Sequence, residues 1–337
     1  MRNLTRANKL IGNIAKKHKE ITPISLKDIS LFEKFFKKEP HTYGNSWTYV
    51  TQGMYGIGPY GLGYKYYDGK NLSAVCVYPK LEHPNIFCFY WVRPMGNQIL
   101  NIIDEFSKDL LKTKSMPTYV KKIFKEQFLF LKKKGFKDPA KFPWYSKCPL
   151  EDDSLPELIV DIDLLLKEIS TNKKSKRLKR IMKNYLSFPL EHEVKIRDIN
   201  KTNSKKIWKA TIDFFVYRKE NPNEYMISRE YDFYNMIFYP CRNRLRMAKE
   251  IIIGKETVGF YSAEIQSDKT AGIYGVILHR YKYKNLTEYA MIDAFLNLKK
   301  KGVKYINLGG SEYQGVEDAK LKYHPSIIQP MYWACLY

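Results

Sequence analysis

Apolar positions along this chain switch between helical and strand-like spacing. Leu26, Ile29, Phe32, Phe35 and Phe36 recur on one face over Ser25–Glu39, with Ser25 placed to cap the helix they predict. Gly61–Val92 reads as strands, the first pair turning at Asp68-Gly69, a strong hairpin signal. Helical spacing returns over Asn97–Leu111 and Val120–Lys134, with Gly135 as the expected stop. Residues 136–156 are rich in Pro, Lys and aromatics and read as a connector, and Glu157–Ile169 predicts a short strand and then a helix start.

In the second half Leu178, Ile181, Met182 and Tyr185 form one helical stripe, and Ser204–Lys219 and Ser228–Asn243 read as amphipathic helices. Strands are expected at Leu245–Ile253, Val258–Ile265 and Ala271–Leu278, the first two joined by a turn at Gly254-Lys255. A helix at Leu286–Lys300 stops at Gly302, followed by a short buried strand at Tyr305–Leu308 and a terminal one at Met331–Tyr337. This order is that of a GNAT (acyl-CoA N-acyltransferase) fold, and the first half gives a weaker version of it. The hairpins Tyr64–Tyr78 and Glu250–Glu264 are also alike, which predicts a structural repeat. At 337 residues each half is long enough to bury its own core. The expected architecture is α/β: two tandem GNAT-like domains with mixed sheets, comprising a basic arm (1–24), an N-terminal domain (25–150) and a C-terminal catalytic domain (151–337).

Charge changes the picture. The formal net charge is +23, and it is clustered. The N-terminal segment, a basic arm or short helix, carries Arg2, Arg6, Lys9, Lys16, Lys17 and Lys19 with no acid before Glu20. Residues 173–183 hold Lys173, Lys174, Lys176, Arg177, Lys179, Arg180 and Lys183 with no acid among them. Both point to a polyanion: RNA, DNA or an acidic membrane surface, the last reached through the arm. A solvated face, with lysine enriched by genome composition, is the competing reading of the same residues. The five cysteines include no C-x-x-C pair and read as reduced thiols. No signal-peptide core and no apolar run of transmembrane length is present, so the expected location is cytoplasmic.

Several motifs lose weight on inspection. Gly56-x-Gly58-x-x-Gly61 leads into Tyr64, Tyr66 and Tyr67 and a hairpin, whereas a phosphate loop must open a helix. A GNAT enzyme holds acyl-CoA pyrophosphate on a glycine-rich loop between its fourth strand and the next helix. Here that place is Tyr283-Lys284-Asn285-Leu286-Thr287-Glu288-Tyr289-Ala290, with no glycine and one acid. His279 and His324 have no Cys or His at ligand spacing, so no metal is expected.

The stretch Ile306-Asn307-Leu308-Gly309-Gly310-Ser311-Glu312, then Gly315 to Pro325, is the most informative. A strand ends in a Gly-Gly turn where a GNAT sheet splays open. Gly315, Lys320 and Tyr323 match the Gly-x-x-x-Phe-Lys-x-x-Phe signature of the FemABX transferases, with Ala319 replacing the first Phe. This chain resembles that family and the double-GNAT family that includes the lysylphosphatidylglycerol-synthase catalytic domain, most clearly over residues 175–335. The resemblance implies transfer of an aminoacyl group from charged tRNA, the co-substrate, to an amine or hydroxyl, with no other cofactor. It implies that Lys320 pairs with a phosphate of the terminal CCA. Ester aminolysis needs proton removal from the nucleophile and charge relief at the oxyanion. Glu312 is the candidate base. Tyr313, Tyr323 or backbone amides near Gly309-Gly310 are the candidate oxyanion donors. Ser311, Lys322, Tyr217 and Arg218 are candidate pocket liners, and the basic residues from Lys173 to Lys183 would hold the acceptor stem. Each has a plainer reading: Glu312 paired with Lys320, Lys320 on a solvated face, Tyr217 and Arg218 in ordinary packing. An N-acyltransferase using acyl-CoA or acyl-carrier protein, and a non-catalytic RNA- or membrane-binding protein, remain open at this point.

Overall fold

A computed structural model describes residues 2–38, 63–79, 85–138, 156–171, 175–200, 206–207, 246–265, 269–278, 282–310 and 314–337. Gly56, Gly58 and Gly61, Tyr217 and Arg218, His279, and most of the two helices expected over 204–243 lie outside these residues.

The described strands are β1 (Ile21–Pro23), β2 (Tyr64–Tyr67), β3 (Leu72–Pro79), β4 (Phe87–Met95), β5 (Thr118–Ile123), β6 (Glu157–Asp161) and β7 (Val194–Asp198), then β8 (Arg246–Ile253), β9 (Glu256–Ile265), β10 (Thr270–Leu278), β11 (Tyr305–Asn307), β12 (Ile327–Gln329) and β13 (Tyr332–Leu336). The helices are α1 (Arg2–Lys17), α2 (Ile29–Phe36), α3 (Ile99–Lys114), α4 (Lys125–Lys133), α5 (Ile162–Thr171), α6 (Lys176–Glu191), α7 (Leu286–Lys300) and α8 (Gln314–Leu321).

They form two sheets, of order β1-β2-β3-β4-β5-β13 and β7-β8-β9-β10-β11-β6-β12. Written in these directions the six strands of the first sheet correspond in order to the first six of the second, and β12 is an added edge strand. Each has an antiparallel run, then one parallel pair bridged by a helix: β4 and β5 with α3, β10 and β11 with α7. In each, an antiparallel strand then flanks the second member of that pair: β13 beside β5, β6 beside β11. The repeat expected from the two hairpins is therefore present as topology.

Local chemistry explains the hairpin at Asp68-Gly69. The Asp68 carboxylate accepts from the Lys70 and Asn71 backbone amides at 2.9 and 2.7 Å and from Asn71 Nδ2 at 2.8 Å. Gly69 sits at φ 94°, which L side chains rarely adopt. Burial raises the Asp68 carboxyl, but these bonds outweigh it and hold the group below its ordinary value.

Three readings are corrected. Val120–Lys134 is not one helix: its first part is β5, whose residues are buried throughout, and α4 starts only at Lys125. Ser25 is not the cap of α2; its backbone amide and hydroxyl donate to Asp28, which holds the N-cap position. The basic N-terminal segment takes the helical alternative: it is α1, whose Ala7, Ile11 and Ile14 are buried in the first core. The terminal strand, placed by sequence order in the second domain, belongs to the first sheet, pairing antiparallel with β5 from Tyr332↔Ile123 to Leu336↔Thr118. Trp333, Ala334 and Cys335 are buried in the first core. The two halves are thus tied together by the C-terminus.

Candidate active site

In each sheet the parallel ladder ends before one of its strands does. In the first sheet the β4–β5 ladder ends at Val92↔Lys121, and the next residue on each strand, Arg93 and Lys122, takes a left-handed conformation (φ 53° and 56°). Such backbone persists only where the surroundings hold it. In the second sheet the β10–β11 ladder ends at Gly272↔Asn307, β11 stops, and β10 runs on to Leu278 through a bulge.

Glu157 at the start of β6 joins the two. Its Oε1 accepts from Lys122 Nζ at 2.9 Å and its Oε2 from Asn307 Nδ2 at 2.8 Å, and all three side chains are buried. Burial alone would raise the Glu157 carboxyl. The Lys122 ammonium, hydrogen bonds from Lys122 and Asn307, and the Arg93 charge together keep it below the ordinary carboxylate value. Arg93 lies over the Phe124 ring, 4.6 Å from its centroid.

From Asn307 the chain of contacts reaches the Gly-Gly turn. Asn307 Oδ1 accepts from the Gly309 amide at 2.7 Å, and Gly309 is at φ 73°. Lys320 Nζ, from α8, donates to the Gly309 carbonyl at 3.3 Å and to the Gly310 carbonyl. Lys320 and the Gly309-Gly310 turn are therefore adjacent, as the sequence reading requires. The Gly309 amide is spent on Asn307 and is not open to an oxyanion. Tyr323 packs edge-on against Phe295 at 5.3 Å and is buried; burial, then the Glu288 charge, pushes its hydroxyl further from ionisation. That placement gives Tyr323 a packing job. Lys322 is half-buried beside it. Ser311, Glu312 and Tyr313 lie outside the described residues, as do Lys173 and Lys174.

His324 brings the basic helix to this loop. At φ 48°, it places Nδ1 3.0 Å from Glu168 Oε2 on α5 and Nε2 3.4 Å from Ser175 Oγ. Ser175 is the N-cap of α6, accepting from the Leu178 amide. Lys176, Arg177, Lys179, Arg180 and Lys183 are exposed on α6, while Leu178 and Ile181 are buried. None of the five makes an ion pair with a described acid.

The start of α7 packs against α6. Tyr289 stacks on Tyr185 and Phe188 of α6, with ring centroids 5.3 and 4.9 Å apart, and Asn184 Nδ2 donates to Asn285 Oδ1 at 3.1 Å. Behind this, Tyr261 donates to Asp293, which also accepts from Asn297 at 2.9 Å. Burial raises the Asp293 carboxyl despite those bonds and the charges of Lys249 and Lys300. Among the described residues no group of His, Cys, Asp and Glu is arranged to hold a metal, and no helix is long and apolar enough to cross a membrane.

No family model and no curated protein matches the chain by sequence. Solved structures match it in fold. A conserved protein of unknown function from Bacteroides thetaiotaomicron superposes with a TM-score of 0.69 at 14% identity, covering 94% of this chain and 99% of that one. L-PGS from Bacillus licheniformis gives 0.60 at 14% identity over 93% and 92%. FemX gives 0.59 at 10% over 94% and 96%. The paired-sheet architecture is that of tandem GNAT proteins.

Proposed function

We propose that this chain moves an aminoacyl group from the 3′ end of a charged tRNA to an amine or hydroxyl acceptor. One observation carries the reading: the Lys320–Gly309–Gly310 turn, just past the end of β11, is tied through His324 to the N-terminus of a basic helix whose exposed cations make no ion pair with a described acid. A basic helix leading to the end of a splayed strand is what an RNA-borne acyl donor needs. Support comes from the FemABX-like signature in the same segment, and from the fold shared with FemX and L-PGS. The start of α7 counts against acyl-CoA as the donor, because the glycines that let backbone amides approach pyrophosphate are absent there and Tyr289 of its first turn stacks on α6.

In this mechanism α6 holds the acceptor stem through phosphates, a contact that positions without reading sequence. Lys320 puts positive charge at the end of β11, where the last phosphate of the CCA end is drawn in. The acceptor nitrogen or oxygen attacks the ester carbonyl carbon. Glu312, two residues past Gly310, takes the proton. The tetrahedral oxyanion collapses, the bond to the terminal ribose oxygen breaks, and Glu312 returns its proton to that oxygen, which leaves as a hydroxyl. Tyr313 is the remaining side-chain candidate for the oxyanion.

Lys320 acts on the ground state and Glu312 on the transition state. In single-turnover assays with charged tRNA and acceptor, Lys320→Ala should mainly weaken tRNA binding. Glu312→Gln should lower the transfer step by about 100- to 10,000-fold. Transfer by Glu312→Gln at the wild-type rate would remove Glu312 from the mechanism.

A further inference from the structure

The solvent face of α6 is not uniformly polar. Lys179, Lys183, Leu186 and Leu190 follow one another at spacings of four, three and four, a single exposed stripe. Leu190 is 87% and Leu186 61% exposed, the two most exposed large apolar side chains among the described residues. The four stripe residues, with Met182 and with Ile169 of α5, line one open apolar groove. Leu164, one further turn back on α5, is also exposed.

We infer that this ridge docks the protein on an anionic lipid bilayer, the two leucines entering the acyl boundary and the lysines lying at headgroup level. Three observations select a bilayer. The stripe mixes lysine with leucine; lysine is depleted from the centres of protein interfaces, whereas on a membrane its stem lies along the apolar layer and its charge reaches outward. The exposed apolar residues are aliphatic, while single-stranded nucleic acid is gripped by aromatic platforms. The charge is complementary to acidic headgroups. Of the acids on α5, Glu168 is engaged by His324 and Asp163 by Lys299. Glu191, on α6, lies with Arg180 on the other flank of the helix. Isolated exposed leucines need no explanation, but a contiguous apolar and basic stripe on one helix is the pattern of interfacial helices. Arg177 and Arg180 point away from the stripe, so RNA and bilayer can use different flanks of α6.

The inference does not depend on the transfer reaction. Nuclease-treated full-length protein is floated with vesicles of phosphatidylcholine alone and with vesicles in which a third of the lipid is phosphatidylglycerol. Wild type should float with the anionic vesicles and not with the neutral ones. The pair Leu186→Ser/Leu190→Ser removes exposed side chains and leaves the core intact, as circular dichroism will check; it should lower partitioning by about tenfold or more. Lys179→Gln/Lys183→Gln should lower it by about fivefold per lysine at low salt, and by less as salt rises. Absence of flotation would overturn the inference. So would unchanged flotation of the leucine pair, which would assign the binding to net charge alone. A changed mass of the leucine pair on sizing, or loss of its RNA binding with flotation retained, would reassign the ridge to self-association or to RNA.

Discussion

At the scale of single residues, the decisive group is Glu157. It sits between Lys122 of one sheet and Asn307 of the other, and Asn307 in turn sets the Gly309 amide. Removing its charge leaves Lys122 buried without that partner, which costs about 3–5 kcal/mol. Glu157→Gln should therefore lower stability at pH 7 by that order in urea denaturation, and the apolar double variant Lys122→Met/Glu157→Leu should recover much of it. The pH dependence has a definite sign. The folded-state carboxyl lies below its unfolded value, so its stabilisation is complete above the ordinary carboxylate range and is lost as pH falls through the folded value. Glu157→Gln should lack that part of the acid-induced loss. Little of this was legible in the sequence. Lys320 and the Gly-Gly turn stood out because glycine and lysine carry a local signature. Glu157 offered only an acid at the head of the apolar run Leu158-Ile159-Val160, and its partners lie 35 and 150 residues away. Pairings of that range follow from topology, not from local pattern.

At the scale of elements, α6 does two jobs with one sequence. Its buried stripe, Leu178, Ile181 and Phe188, packs it on the second core, and its outer face carries the cations. Replacing Lys176, Arg177 and Arg180 with Gln leaves Lys179 and Lys183 in the leucine stripe and removes up to three phosphate contacts. The slope of log affinity for tRNA against log salt should then become shallower by up to three times the per-phosphate value of about 0.7–0.9. An unchanged slope would make these residues a solvated face. The stripe of α6 and the extent of α7 were readable because helical period and a glycine stop act locally. β5 was misread as helix because Val120 and Ile123 fit either period, and burial on both faces of a central strand removes the alternation that would have marked it. The three-residue β1 and β12 carry too few positions to show a period.

At the scale of the whole molecule, the two units exchange their closing strands. The repeat was visible in the paired hairpins, but sequence order alone assigns β13 to the wrong sheet. β13 covers the edge of β5 and fills the first core with Trp333, Ala334 and Cys335. A fragment ending at Asp138 lacks that cover, so β5 would present an open hydrogen-bonding edge beside an apolar face. That fragment should aggregate or show no cooperative thermal transition, while the intact chain unfolds cooperatively; a well-folded fragment would show that β13 is dispensable. Glu157 of β6 links Lys122 of the first sheet to Asn307, and so to the turn carried by the second.

The central claim is that the acyl donor is a charged tRNA. The most direct measurement incubates the protein with bulk tRNA charged with radiolabelled amino acids and a cell extract as acceptor source, in parallel with labelled acetyl-CoA. The account predicts that label from one or a few amino acids leaves the tRNA and appears in a ribonuclease-resistant product. It also predicts that Lys320→Ala slows this at limiting tRNA, and that acetyl-CoA labels nothing. Label that stays on every tRNA while the acetyl group is transferred would contradict it.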